Sequence, residues 1–239
     1  MMREQVVLSW SGGKDSSLAL AALQADSRYQ VVALITTVTR EYERVSIHGV
    51  RRTLLESQAA ALGLPLFEVE LDPRSSNESY ERAFLLGLHD VREVIPEARH
   101  IAFGDLYLAD VREYRERLLG STDFAPLFPL WGRDTRMLAE EFIAAGFHAT
   151  LVCVDTEQIS GEFAGMAFDR NLLNTLPATV DPCGEGGEFH TFVSAGPVFS
   201  RAIGFEIGEK VLRDNRFAYC DLIPASENGG KNDSQTEIR

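Results

Sequence analysis

The apolar positions of this chain fall into two rhythms, and their alternation predicts the fold. Residues 6–8 (Val6, Val7, Leu8) are an unbroken apolar run, and residues 31–38 form a longer β-branched one. Runs of this kind suit strands buried on both faces. Between them the spacing becomes helical. Residues 18–23 are apolar, residues 53–62 carry helical spacing that stops at Gly63 and Pro65, and residues 79–94 do so again before Pro96. Residues 67–71 alternate as a strand, and residues 101–103 read as a short buried one before Gly104. Strands separated by helices of this length imply right-handed crossovers and a parallel sheet covered on both sides. Such sheets bind ligands at the carboxyl ends of their strands. The loops at residues 9–16, 36–39 and 104–105 are therefore the expected site, on an α/β fold with a Rossmann-like parallel sheet.

From about residue 125 the texture changes. Residues 125–132 (A-P-L-F-P-L-W-G) carry two prolines and read as a connection. A helix is predicted over 135–145, ending at Gly146, and a strand over 149–154. Residues 182–208 are rich in glycine around short β-type runs at 189–193, 198–199 and 203–207, which suggests antiparallel hairpins. The predicted division is a first domain at 1–124, a smaller α+β domain at 125–223, and a tail at 224–239. From Ser226 that tail is nearly free of apolar residues, so disorder is expected there.

Charge narrows the partners. A net charge of −13 argues against non-specific binding to nucleic acid or to an anionic membrane. No apolar run approaches the ~20 residues needed to span a bilayer, and no N-terminal apolar segment suggests export, so a cytoplasmic protein is expected. The three cysteines, Cys153, Cys183 and Cys220, form no C-x-x-C pair, which offers neither a disulfide framework nor a zinc site. Cys153 reads as a small core residue. Composition leaves a homo-oligomer open.

The candidate chemistry begins at residues 9–17, S-W-S-G-G-K-D-S-S, between the first strand and the first helix. Two adjacent glycines let the backbone approach a ligand, and the free N–H groups of a helix start favour an anion. The chain has twenty Arg and three Lys, and Lys14 is the only Lys before residue 210. A compact ammonium kept here suits a point contact to a phosphate. The segment fits neither G-x-x-x-x-G-K-[ST] nor G-x-G-x-x-G. Ser11, Gly12, Gly13, Lys14, Asp15 and Ser16 instead resemble the S-G-G-x-D-S loop of the ATP pyrophosphatases, the PP-loop family. That resemblance implies ATP with Mg²⁺, a grip on the β and γ phosphates, and release of AMP and pyrophosphate. Asp15 has two readings, a Mg²⁺ ligand or a carboxylate complementing the helix dipole.

A second constellation lies at residues 181–192, D-P-C-G-E-G-G-E-F-H-T-F, where Asp181, Glu185, Glu188 and His190 surround three glycines. Such acids can hold a metal, orient an amine or act as a base. The pairing of S-G-G-K-D-S with E-G-G-E-F resembles the diphthine–ammonia ligase family. Other stretches are similar too: residues 47–49 with His48, Gln58 followed by residues 59–66, F-G-D at 103–105, and P-L-W-G at 129–132. The resemblance, over residues 5–222, implies an AMP-forming carbon–nitrogen ligase that amidates a carboxylate with ammonia. The acid would be a small molecule or a protein side chain.

By this resemblance Lys14, Asp15, Glu185, Glu188 and His190 carry the chemistry, and Ser11 to Ser16 with His48, Gly104 and Asp105 bind nucleotide. Asp105 could hold metal or ribose, with a cap on the following helix as the plainer reading. Cys183 is an outside candidate. The family's second motif runs E-G-G-E-(Y/F)-E-T, whereas this chain has His190 in place of the last carboxylate. That form resembles a bacterial-type variant, and bacteria do not make diphthamide, so the expected acceptor is not diphthine. Two other readings stand beside this one: a PP-loop enzyme modifying tRNA, and an adenine-nucleotide-binding protein without chemistry.

Overall fold

A computed structural model describes residues 3–45 and 48–225. Ile47, quoted in the resemblance, and the expected tail from Ser226 onward lie outside the described residues.

The first half is the predicted α/β unit. β1 (Glu4–Ser9), α1 (Lys14–Ala25), β2 (Tyr29–Thr39), β3 (Arg44–Val45), α2 (Arg52–Leu62), β4 (Leu66–Leu71), α3 (Asn77–Val94), β5 (His100–Ala102), α4 (Ala109–Leu119) and β6 (Ala125–Leu127) follow in order. The parallel pairings run β4-β2-β1-β5-β6, with short β3 antiparallel to the end of β2. The chain moves from β1 outward to β2 and β4, then crosses to β5 and β6 on the other side. The strand order therefore reverses at β1, where such sheets place ligands.

Strand alternation sorts the core. Val6 and Leu8 face α1 and α2, while Val7 packs with Phe84, Leu88, Leu118 and Leu119 of α3 and α4. Gly63 ends α2 at φ 66, the left-handed cap its position predicted.

The second half contains α5 (Thr135–Ala144), β7 (His148–Asp155), α6 (Arg170–Thr175), β8 (Phe189–Ala195), β9 (Phe205–Arg213) and β10 (Phe217–Pro224). An antiparallel sheet runs β8-β7-β10-β9. Its buried residues, among them Leu151, Phe189 and Phe192, belong to the same core as Val6 and Leu8. The two sheets thus share one apolar interior, and β8 lies against the start of α1.

Three local readings are corrected. Residues 125–127, read as connection, form β6 and pair with β5. Pro126 is tolerated because β6 is an edge strand, where a missing N–H breaks no ladder on the outer side. Residues 198–199, read as strand, lie in a turn closed by Phe199 N–H donating to Gly196 O at 3.1 Å. The last run starts at Phe205 rather than at residue 203, and its partner β10 extends to Pro224. Periodicity did not single out β3, α6 or β10. Two of these elements are short, and β10 is only partly buried.

Candidate functional site

The loop after β1 is held from three directions. Gly12 sits at φ 77, a conformation few other residues adopt, and a Cβ there would come within 2.6 Å of Gln58 Oε1. Gln58, fully buried on α2, accepts from Trp10 Nε1 at 3.0 Å and donates to Gly12 O at 3.0 Å and Val193 O at 2.6 Å. From β8, Val193 N–H donates to Gly12 O at 2.9 Å. Gly13 caps α1 without a side chain of its own. The Lys14 N–H donates instead to Thr191 Oγ1 at 3.0 Å, so a hydroxyl 177 residues away does the capping.

On one side of the loop opens a cavity of about 700 Å³. Ser9, Trp10, Ser11, Thr36, Thr37 and Thr39 bring the ends of β1 and β2 to its wall, as the strand-end rule predicted, and His48 joins them. Tyr80, Phe84 and Tyr114 supply aromatic faces. Thr36 is 3% exposed, and its hydroxyl finds no partner among the described residues. A buried hydroxyl left open at a cavity wall favours a polar ligand there, since leaving it unpaired costs free energy.

The other side is crowded with charge. The Lys14 side chain, 3% exposed, donates to both Asp15 oxygens at 2.8 Å, and its Nζ lies 5.6 Å from the Phe189 ring centroid and 6.0 Å from that of Phe168. Burial alone would lower the Lys14 pKa, but the Asp15 carboxylate outweighs it and raises the value, so the group is cationic at neutral pH. Asp15 keeps 31% of its side chain open. Burial pushes its pKa up against the pull of Lys14.

Gly104 passes so close to the start of α1 that a Cβ would lie 3.0 Å from the Asp15 carbonyl carbon. That approach sets Asp105 beside Asp15. Arg115 Nε lies 3.6 Å from Asp105 Oδ2, beyond hydrogen-bond reach, and that oxygen has no hydrogen-bond partner among the described residues. Burial raises the Asp105 pKa.

The 181–191 turn is mostly occupied with itself and with its neighbours. Asp181 accepts from Cys183 N–H at 2.8 Å and from Thr135 Oγ1 at 2.7 Å. Glu188, 5% exposed, accepts from Asp181 N–H at 2.9 Å through Oε1, while Oε2 finds no partner among the described residues. Glu185 Oε1 accepts from Leu106 N–H at 2.8 Å, tying the turn to the loop after β5. Burial pushes the Glu185 pKa up to about 7.

His190 lies against His48, the rings tilted by 34° with centroids 4.6 Å apart. Burial keeps both imidazoles neutral at pH 7, lowering His48 to about 4. The Cys183 thiol is buried, donates to Thr135 O at 3.2 Å, and is pushed up to about 12 by burial, which leaves no thiolate for chemistry.

The predicted residues therefore divide. Ser11 and His48 line the cavity, whereas Lys14, Asp15, Asp105, Glu185, Glu188 and His190 do not. The Ser16 hydroxyl, expected on a phosphate, donates to Gly13 O at 3.0 Å. The prediction missed Tyr80, Phe84, Tyr114, Arg115 and the turn after β4, including Asp72 and Arg74. The strand-end rule applied to β4 would have found that turn. Nothing local in α3 or α4 marks which face meets the cavity. Among the described residues no group of three or more His, Cys, Asp or Glu is placed to hold a metal, and no helix is long and apolar enough to cross a membrane.

Comparison with known proteins agrees with this architecture. The profile of the diphthamide synthase N-terminal domain matches residues 3–121, and that of the diphthamide synthase C-terminal domain matches residues 134–225. Several vertebrate proteins named diphthine–ammonia ligase are similar over most of their length. The Danio rerio protein is 28% identical, with 96% of each chain covered. Those of Rattus norvegicus and Homo sapiens are each 26% identical, covering 84% of this chain and 83% of their own. With both domain profiles matched in order along one shared core, the chain belongs to the diphthine–ammonia ligase family.

Proposed function

We propose that this protein is an ATP-dependent, AMP-forming ligase that joins ammonia to a carboxylate other than diphthine. The observation that carries the proposal is the loop at Ser11 to Ser16, fixed at the strand-order reversal beside a cavity of about 700 Å³ whose wall holds a buried hydroxyl, Thr36, with no partner among the described residues. In this reading the aromatic and hydroxyl-lined cavity takes the nucleoside, and the loop takes the β and γ phosphates. Residues 3–127, through β6, then form the ATP-binding unit, and the residues after Leu127 contribute to the acceptor side.

Lys14 is the loop's own cation, and it is held in reserve by Asp15. Negative charge developing on the departing pyrophosphate would draw the ammonium away from that carboxylate. Two neighbouring carboxylates, Asp15 with an open edge and Asp105 with an oxygen short of a partner, suit a Mg²⁺ that arrives with the phosphates, since Mg²⁺ needs few protein ligands when phosphate supplies the rest. Bound there, the ion would offset phosphate charge. The neutral His48 and His190 lie next to the loop, and their ring nitrogens can accept a hydrogen bond from ammonia that arrives already deprotonated, orienting it as the nucleophile.

Incubation with ATP, Mg²⁺, ammonium and a panel of carboxylic acids should release AMP and pyrophosphate. Lys14→Ala should lower that rate by about a hundredfold or more, the usual weight of one charge-stabilising group. Release of ADP and phosphate instead would overturn the reading.

A further inference from the structure

A second cavity, of about 480 Å³, lies where the loops after β2 and β4 meet the β9–β10 hairpin. Its wall contains Arg44, Arg74 and Arg213, with the hydroxyl-bearing rings of Tyr42 and Tyr219. In a chain of net charge −13, a cavity with three guanidinium groups is a local reversal of sign.

Two carboxylates enter the same wall, Asp214 and Asp221. Asp221 is shared by two cations, Arg44 at 2.9 Å and Arg51 at 2.6 Å, so that cluster stays net positive. Arg74 and Arg213 have no ion-pair partner among the described residues. Arg74 also holds a left-handed backbone, φ 59, a conformation unfavourable for a residue with a Cβ. Thr39, Val45 and Arg74 line both cavities, so the two adjoin. Gly49, at φ 68, allows the contact, because a Cβ there would lie 2.7 Å from the Tyr219 ring.

We propose that this second cavity is the acceptor's recognition subsite, and that the acceptor carries, besides the carboxylate to be amidated, at least one further anionic group, a carboxylate or a phosphate. Planar guanidinium forks match both anions. A quaternary ammonium would meet like charge there, which separates this acceptor from a cationic one. The assignment of the bound molecule as acceptor rests on the ligase reading above.

The test titrates the full chain, with and without a saturating non-hydrolysable ATP analogue and Mg²⁺, using tricarballylate, glycerol 2-phosphate and glycine betaine. Either anion should bind in the presence of the analogue, and the stronger of the two names the second group. Betaine should not bind. Arg213→Glu should weaken anion binding by about tenfold or more, the effect of one lost charge-assisted hydrogen bond, and Arg213→Lys, which keeps the charge without the fork, should restore part of the affinity.

The ATP analogue should bind Arg213→Glu as it binds the parent. Equal or preferential binding of betaine, no binding of either anion, or anion affinity untouched by Arg213→Glu would overturn the subsite while leaving the ligase reading intact. Failure to bind the ATP analogue, with Arg213-dependent anion binding retained, would instead remove the ligase reading and the acceptor's identity with it.

Discussion

The two glycine-containing motifs of this protein look alike in sequence and place their polar atoms differently. The loop at Ser11 to Ser16 stands beside an open cavity and keeps a cation close to it. The turn at Asp181 to Thr191 spends most of its polar atoms on structure: Asp181 on Cys183 and Thr135, Glu185 on Leu106, and Thr191 on the Lys14 amide. A run of acids around glycines can therefore be a template that shapes a site rather than the site itself. What separates the two is where their hydrogen-bonding groups go, which spacing along the chain does not reveal.

The strongest way to break this division is to cut the tie between the motifs. Gln58 joins Trp10, Gly12 and Val193, and all three contacts are buried. Gln58→Leu would leave an indole N–H and two carbonyls to find other partners. Each unpaired buried group costs about 1–3 kcal/mol, so the total loss should reach about 3 kcal/mol even if Val193 N–H keeps hold of Gly12 O. Urea unfolding measures it, and the variant should also bind ATP poorly. A fully stable Gln58→Leu protein would mean that the loop holds its shape unaided.

A milder cut tests the template role directly. Thr191→Val keeps the volume and removes the hydroxyl that caps α1. The expected cost is about 1 kcal/mol, typical of a lost cap, with weaker ATP binding, because the first-turn amides lose their alignment. If stability falls and ATP affinity does not, Thr191 supports the helix without shaping the loop. If neither moves, the turn is not a template at all.

Much of the fold was legible because its elements are long and their periods distinct. The run at residues 31–38 could hardly be anything but a central strand, and Gly63 marked the end of α2 by the conformation it takes. The short edge strand β6 was hidden by Pro126, which forbids a central strand but not an edge. The site was half legible. Ser11 and His48 do reach the cavity, yet Lys14 turns toward Asp15 and away from it, and Ser16 turns back on Gly13. The Lys14 choice goes with Phe168, Phe189 and the approach of β8, all brought in by tertiary packing, and the Ser16 choice is a back-bond within the first turn of α1. Tyr80, Phe84 and Arg115 stayed hidden for the same reason: α3 and α4 show a buried face in their sequence, but not what a cavity at the end of that face will contain.

The smallest expected effect concerns Glu185, whose carboxyl has a folded pKa of about 7 through burial, above its unfolded value of 4.5. Between those two values the folded protein binds more protons than the unfolded chain, so stability must fall as pH rises through this window. Glu185→Gln keeps an oxygen to accept from Leu106 N–H and removes the titration. The variant should match the parent near pH 4.5 and be the more stable of the two above pH 7, with a flatter profile between them, as read by thermal unfolding across that range. A parent profile no steeper than the variant's would show that the Glu185 carboxylate is stabilised by the loop it ties down, and that the turn contributes charge to the site as well as shape.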